Sequence, residues 1–180
     1  MQQNQARTDI TMDALLVTFL IGFDVAARLL PHAPGFLPVA ASGLFAARYL
    51  HRPAFAVIVP LAAMVLSGIA LGPDDWRVSL MVYAALALPA LVGTIIPRGA
   101  LAIVATMIGG SLAFFVISNF AVWAFSGLYP PTGPGLTACY VAALPFLERT
   151  VFGDLFWTAV LFGGALLVQH GPSLAKKPLL

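Results

Sequence analysis

The sequence predicts an all-α integral membrane bundle of six transmembrane helices, with a short interfacial helix in the fifth outer loop. Three observations carry that prediction. Apolar segments follow one another from residue 10 to residue 170, the few charges fall almost entirely between them, and Pro or Gly marks most of the breaks. A bilayer core of about 30 Å takes roughly 20 apolar residues per helix, so 1–180 reads as a single domain of six spans and short connections.

Composition agrees. Hydrophobic residues make up 61% of the chain and charged residues 9%, against about 25% charged in soluble domains. A surface so poor in charge needs lipid as its solvent, and the bilayer is the first partner expected. A net charge of +2, held at segment ends, excludes a nucleic-acid partner. Cys139 is the single cysteine, which excludes an intramolecular disulfide and a Cys-based metal cage. His32, His51 and His170 fall in different inter-helix segments, so no helical His pair can hold a haem or a metal, and no cofactor is expected.

The first span, 10–30, stops at Pro31 and Pro34. Its run Leu15–Phe23 with Val25-Ala26-Ala27 imitates a cleaved signal peptide, yet Arg7 is balanced by Asp9 and Asp13, and the segment reads as a retained helix. The second, 35–50, is short and ends at His51-Arg52-Pro53; it reads as a span or as a re-entrant helix buried in protein. The third, 53–72, closes at Gly72-Pro73-Asp74-Asp75, and Pro97-Arg98-Gly99 divides the fourth, 77–96, from the fifth, 99–127. The sixth covers 150–169. Between the last two, a Pro- and Gly-rich turn leads into the apolar stretch Gly135–Leu147, too short to span and suited to the interface, where it either covers a site or seals the bundle.

Charge sets the orientation. With six spans, Arg7, Arg48, Arg52, Arg98, Lys176 and Lys177 share one side, and Arg28, Arg77 and Arg149 share the other. The positive-inside rule then assigns both termini to the cytoplasm. Gly43 and Ala47 form a small-xxx-small pair for close helix approach, within the bundle or against a partner.

Ionisable residues at membrane depth are site candidates, because their insertion costs about 2.5–3.5 kcal/mol. Asp24 lies inside an apolar run, with Arg28 one turn on in the favourable acid-first order for an ion pair. Asn119 and Trp123 share a helix face, an amide beside an indole that suits the wall of a small-molecule pocket. Tyr129 and Tyr140 add polar tips on the same outer side. Cys139 reads as packing or as a soft axial ligand for a bound corrinoid. No nucleophile elbow and no Walker loop occurs, so an enzyme is not expected.

Several of these residues form a familiar pattern. Phe36-x-Pro38-x-Ala40 with Leu44-Phe45, Ser118-Asn119-Phe120 with Trp123, Tyr129-Pro130, Gly135-Leu136, Cys139-Tyr140, Pro145-Phe146 and Gly153-Asp154 resemble an uncharacterised family of small bacterial membrane proteins. That family is in turn similar to the substrate-binding (S) components of energy-coupling-factor vitamin transporters. The resemblance implies six helices, a place in the bacterial cytoplasmic membrane, and capture of a vitamin-like solute at the outer face. It also implies partner ATPase and coupling subunits, and it points to Asn119, Trp123, Tyr129, Cys139 and Tyr140 as pocket residues. Many S components dock their coupling subunit through an Ala-x-x-x-Ala face, whereas the first helix here offers Ala14, Leu15, Val17 and Thr18. The alternative reading is a non-transporting accessory or assembly subunit of a larger membrane complex.

Overall fold

The computed structural model describes residues 2–72, 75–97 and 99–174. Arg98, Lys176 and Lys177, which entered the charge count, lie outside the described residues, as do Asp74 of the third break and the side chain of His170. Among the described residues the fold is all helical: α1 (Gln2–Leu29), α2 (Val39–Tyr49), a 3-10 turn (Pro53–Val57), α3 (Ile58–Leu71), α4 (Trp76–Gly93), α5 (Ala100–Phe125) and α6 (Gly133–Leu174). Five helical segments are long and apolar enough to cross a membrane. The exception is α2, whose 11 residues rise only about 16 Å.

Local chemistry explains the ends. Pro53 opens the 3-10 turn, where a missing N–H costs nothing. Gly72 closes α3 at φ 101, a backbone that a side chain would strain. Asp75 caps α4 by accepting the Arg77 N–H at 2.8 Å.

The last helix corrects the sequence reading. Instead of a separate interfacial helix before a span at 150–169, one helix of 42 residues runs from Gly133 to Leu174. Glu148 and Arg149 suggested a break, but both are sound helix formers and both are exposed, so charge alone does not end the helix. Pro145 is absorbed within it. At about 63 Å this helix is twice as long as a bilayer core is thick.

Successive elements run up and down. α2 passes back along α1, with Ser42 at Asp24 and His51 at Asp13. α3 returns to bring Ser67 to Arg28, and α4 descends from there until Gly93 reaches Arg48. α5 climbs with Gly110 against Pro89, and α6 descends past Val116, Ser111 and finally Phe45.

The short helix is the centre of this bundle. Val39 through Ala47 are all buried, packed among α3, α4 and α6. A Cβ on Gly43 would meet Ala90 at 3.2 Å and Pro60 at 3.3 Å, and one on Gly93 would meet Leu44 at 2.7 Å. The Gly43/Ala47 pair therefore serves close packing inside the chain. α1, α5 and α6 by contrast turn Phe19, Leu101 and Leu167 outward, as helices facing lipid do.

Candidate functional site

Three ionisable side chains at membrane depth each meet a buried serine on another helix. Asp24 of α1 is fully buried, and its Oδ1 accepts from Ser42 Oγ of α2 at 2.7 Å. Arg28 of α1 donates through Nε to Ser67 Oγ of α3 at 2.6 Å, and Ser67 in turn donates to the Ala63 carbonyl. Asp154 of α6 accepts from Ser111 Oγ of α5 at 2.6 Å. Asp24 and Arg28 thus each bond a serine on another helix, and the two attract each other electrostatically across one helical turn. Asp24 Oδ2 and the indole Nε1 of Trp157 are buried with no hydrogen-bond partner among the described residues.

Two neighbouring spaces lie beside these groups. An open groove of about 910 Å³ runs between α3 and α4, walled by Met64, Gly68, Ile69, Trp76 and Tyr83, with Arg28 at its side. Next to it a smaller, partly open cavity of about 90 Å³ shares Arg28, Met64 and Val82 as lining residues. Its remaining polar walls are Thr150 and Asp154, and Leu86, Phe114 and Val39 make it otherwise apolar. Pro89 also lines it, together with Ala85. A proline in mid-helix has no N–H to return to the carbonyl four residues back, so the Ala85 carbonyl loses its helical donor beside the cavity.

The seven residues singled out from sequence fall into two groups. Asp24 and Arg28 belong to the bundle just described, and Arg28 lines both spaces. The other five belong to the α5–α6 hairpin and line neither. Asn119 Nδ2 donates to the Phe115 carbonyl at 2.8 Å, within its own helix. Trp123 Nε1 donates to the Pro130 carbonyl at 3.0 Å, and the Tyr140 hydroxyl to the Val116 carbonyl at 2.7 Å. The Cys139 thiol is 2% exposed and points at the Asn119 carbonyl, 3.5 Å away, which is a packing position. Tyr129 is half-buried in the connecting turn.

Polar clusters also fasten both ends of the bundle. At the α4 end, Asp75 takes two guanidinium bonds from Arg77, whose side chain also stacks 5.0 Å over Phe125. Those bonds hold the Asp75 carboxyl down at about 2. At the other end, Asp13 of α1 accepts from the backbone N–H groups of His51 and Arg52 at 2.9 and 3.1 Å and pairs with His51 Nδ1 at 2.8 Å. That carboxylate raises the His51 pKa above its ordinary value. Among the described residues no group of His, Cys, Asp and Glu is arranged to hold a metal.

Sequence reasoning named Asp154 only within the Gly153-Asp154 pattern and not as a site candidate. The signal was its position five residues into an apolar run, which makes it a membrane-depth acid like Asp24. The three serines carried no signal of their own.

Long apolar helices around buried charges define a multi-pass membrane protein. Within that class, residues 8–175 match DUF6580, a family of unknown function, and the chain belongs to it. No curated protein and no solved structure matches the chain.

Proposed function

We propose that this protein captures a small polar solute from the outer face of the bacterial cytoplasmic membrane, in the manner of a transporter S component. The observation that carries the reading is an open groove beside a smaller, partly open cavity, with Arg28, Met64 and Val82 lining both. Concave, mostly apolar spaces with a few convergent polar groups are the usual form of small-molecule sites. The groove's volume of about 910 Å³ suits a vitamin-sized body, and the cavity admits only a small head group.

The alternation of the elements supports a reading with six passes, of which α2 is the short one. Although short, α2 runs from the level of Asp24 to that of Asp13, so it traverses about 16 Å of the depth that α1 spans. The groove opens beside Gly72 and Trp76, away from the α1 N-terminus, and the Lys/Arg asymmetry makes that end the outer one. The chain has no nucleotide loop, so ATP-driven movement would rely on partner ATPase and coupling subunits. The accessory-subunit alternative draws its support from the scarcity of polar residues on the cytoplasmic half; Gly43 and Ala47, one face it could offer a partner, are buried inside the chain.

Native mass spectrometry of the protein, gently extracted from its own membrane, tests the proposal. The expected result is a monomer carrying a defined small-molecule mass that disappears in Val82→Trp, which adds bulk to a residue lining both groove and cavity. A stoichiometric assembly with other membrane subunits and no small ligand overturns it.

A further inference from the structure

A second groove lies at the other end of the bundle, where α5 begins and α6 nears its end. Its volume is about 580 Å³, and Ile103, Val104, Leu155, Ala159 and Phe162 make most of its wall apolar. Arg48, Tyr49 and Gln169 supply polar groups, and Gly99 and Ala100 bring the first turn of α5 to it. We propose that this groove binds one anionic phospholipid, with the phosphate on Arg48 and an acyl chain lying between α5 and α6. The site lies away from the groove beside Trp76 and does not depend on solute capture.

Its position suits a lipid. Asp13, His51 and Arg52 form an exposed polar cluster just beyond Arg48, which marks the level of the head groups. Along α6 the groove runs from Leu155 to Gln169, about 21 Å of helix, enough to cross the roughly 15 Å of one hydrocarbon leaflet. α5 and α6 also turn Leu101 and Leu167 outward, so acyl chains are the solvent that meets its open side.

Charge selects the head group. Arg48 uses one nitrogen for the fold: Nη1 donates to the Gly93 and Ile96 carbonyls at 3.3 and 3.1 Å and closes the end of α4. Among the described residues Nε and Nη2 make no hydrogen bond, and no carboxylate pairs with the guanidinium. Those two nitrogens form the edge that meets two phosphate oxygens side by side. The acids at this end have other partners, since Asp13 holds His51 and the Arg52 N–H, and Asp9 lies 3.6 Å from His51. At Gly99 the α5 N-terminus has no side-chain cap, and its first N–H groups favour negative charge at the same mouth. An anionic head group therefore supplies the charge that the chain leaves unmatched, whereas phosphatidylethanolamine brings an ammonium ion to a cationic site.

Native mass spectrometry of the delipidated full chain, titrated with dioleoyl phosphatidylglycerol or dioleoyl phosphatidylethanolamine, tests the site. The first phosphatidylglycerol should bind about fivefold more tightly than the first phosphatidylethanolamine, the ratio that one cation near the head groups supports. Lipids bound later should show no such preference. In Arg48→Gln the preference should vanish. Ala159→Trp fills the chain-binding part from an exposed position, leaves the α4 contact of Arg48 in place, and should weaken the first phosphatidylglycerol to the level of the later ones. If Arg48→Gln does not fold, this second variant and the ranking on the unmodified chain decide. Equal binding of the two lipids, or a preference that survives Ala159→Trp, overturns the proposal. So does a membrane polypeptide that stays bound after delipidation and is lost in Ala159→Trp, because the groove then belongs to a partner helix.

Discussion

The middle of the bundle and the α5–α6 hairpin satisfy their polar side chains in opposite ways. In the hairpin, Asn119, Trp123, Cys139 and Tyr140 each direct a donor at a backbone carbonyl, which ties these side chains to the helix pair. In the middle, Asp24 and Asp154 depend on one serine hydroxyl each, and Asp24 Oδ2 has no hydrogen-bond partner among the described residues. Saturated groups hold structure together, whereas undersatisfied ionisable groups at membrane depth are where binding chemistry resides. The contrast extends to packing, because α2 is buried over nine consecutive residues while the hairpin turns Val141, Leu144 and Phe146 outward.

Packing offers the largest break in that contrast. Leu44 of α2 is fully buried, and Leu44→Ala should lower stability by about 2–5 kcal/mol through the void it leaves. Val141→Ala, at a position 59% exposed, should stay within about 0.5 kcal/mol. Both are read from reversible unfolding in mixed micelles. Equal losses would deny α2 its place as the core.

The polar contrast is sharpened by a cycle at Asp24. Ser42→Ala removes the Ser42 hydrogen bond to a fully buried carboxyl and should cost about 1–3 kcal/mol. Removing both partners with Asp24→Leu and Ser42→Ala should recover most of that loss, since no polar group is then left unpaired. If the double variant is no more stable than the single one, Asp24 has a support other than Ser42. In the hairpin the comparable change, Tyr140→Phe, should cost only about 0.5–1.5 kcal/mol and leave solute binding unchanged.

What the sequence made legible follows from what hydropathy encodes. Apolar runs and Pro/Gly breaks located α3, α4, α5 and the end of α1 to within a few residues, because lipid exposure demands continuous apolar surface, whereas the polar start of α1 at Gln2 lay outside the apolar run. The extent of α6 was hidden, since Glu148 and Arg149 interrupt hydropathy without interrupting helix. Asp24 and Arg28 stood out as charges in an apolar context, and they do line the bundle's polar middle. Their serine partners did not, because Ser42, Ser67 and Ser111 are remote in sequence and become partners only when helices pack. The hairpin residues were prominent for the opposite reason. Amide, indole and phenol resemble ligand chemistry in a sequence, and only coordinates reveal that neighbouring carbonyls already occupy their donors.

The smallest effect expected lies at the exposed end of the bundle, where Asp13 ties α1 to the turn after α2. Its two backbone hydrogen bonds persist at neutral pH, but the attraction to His51 requires a protonated ring. Because Asp13 raises the His51 pKa above the ordinary 6.5, the folded state binds this proton more tightly than the unfolded chain does. The added stability is therefore complete below about pH 6.5 and fades as pH rises through the higher folded-state value. Solvent screens a contact this exposed, so the slope should be shallow and should flatten further in high salt. His51→Gln keeps the backbone N–H to Asp13 and should abolish the slope while leaving stability at pH 8 nearly unchanged. Unfolding midpoints collected between pH 5.5 and 8.5 for both proteins measure this directly. A variant whose slope matches the unmodified chain would move the titrating group away from this contact.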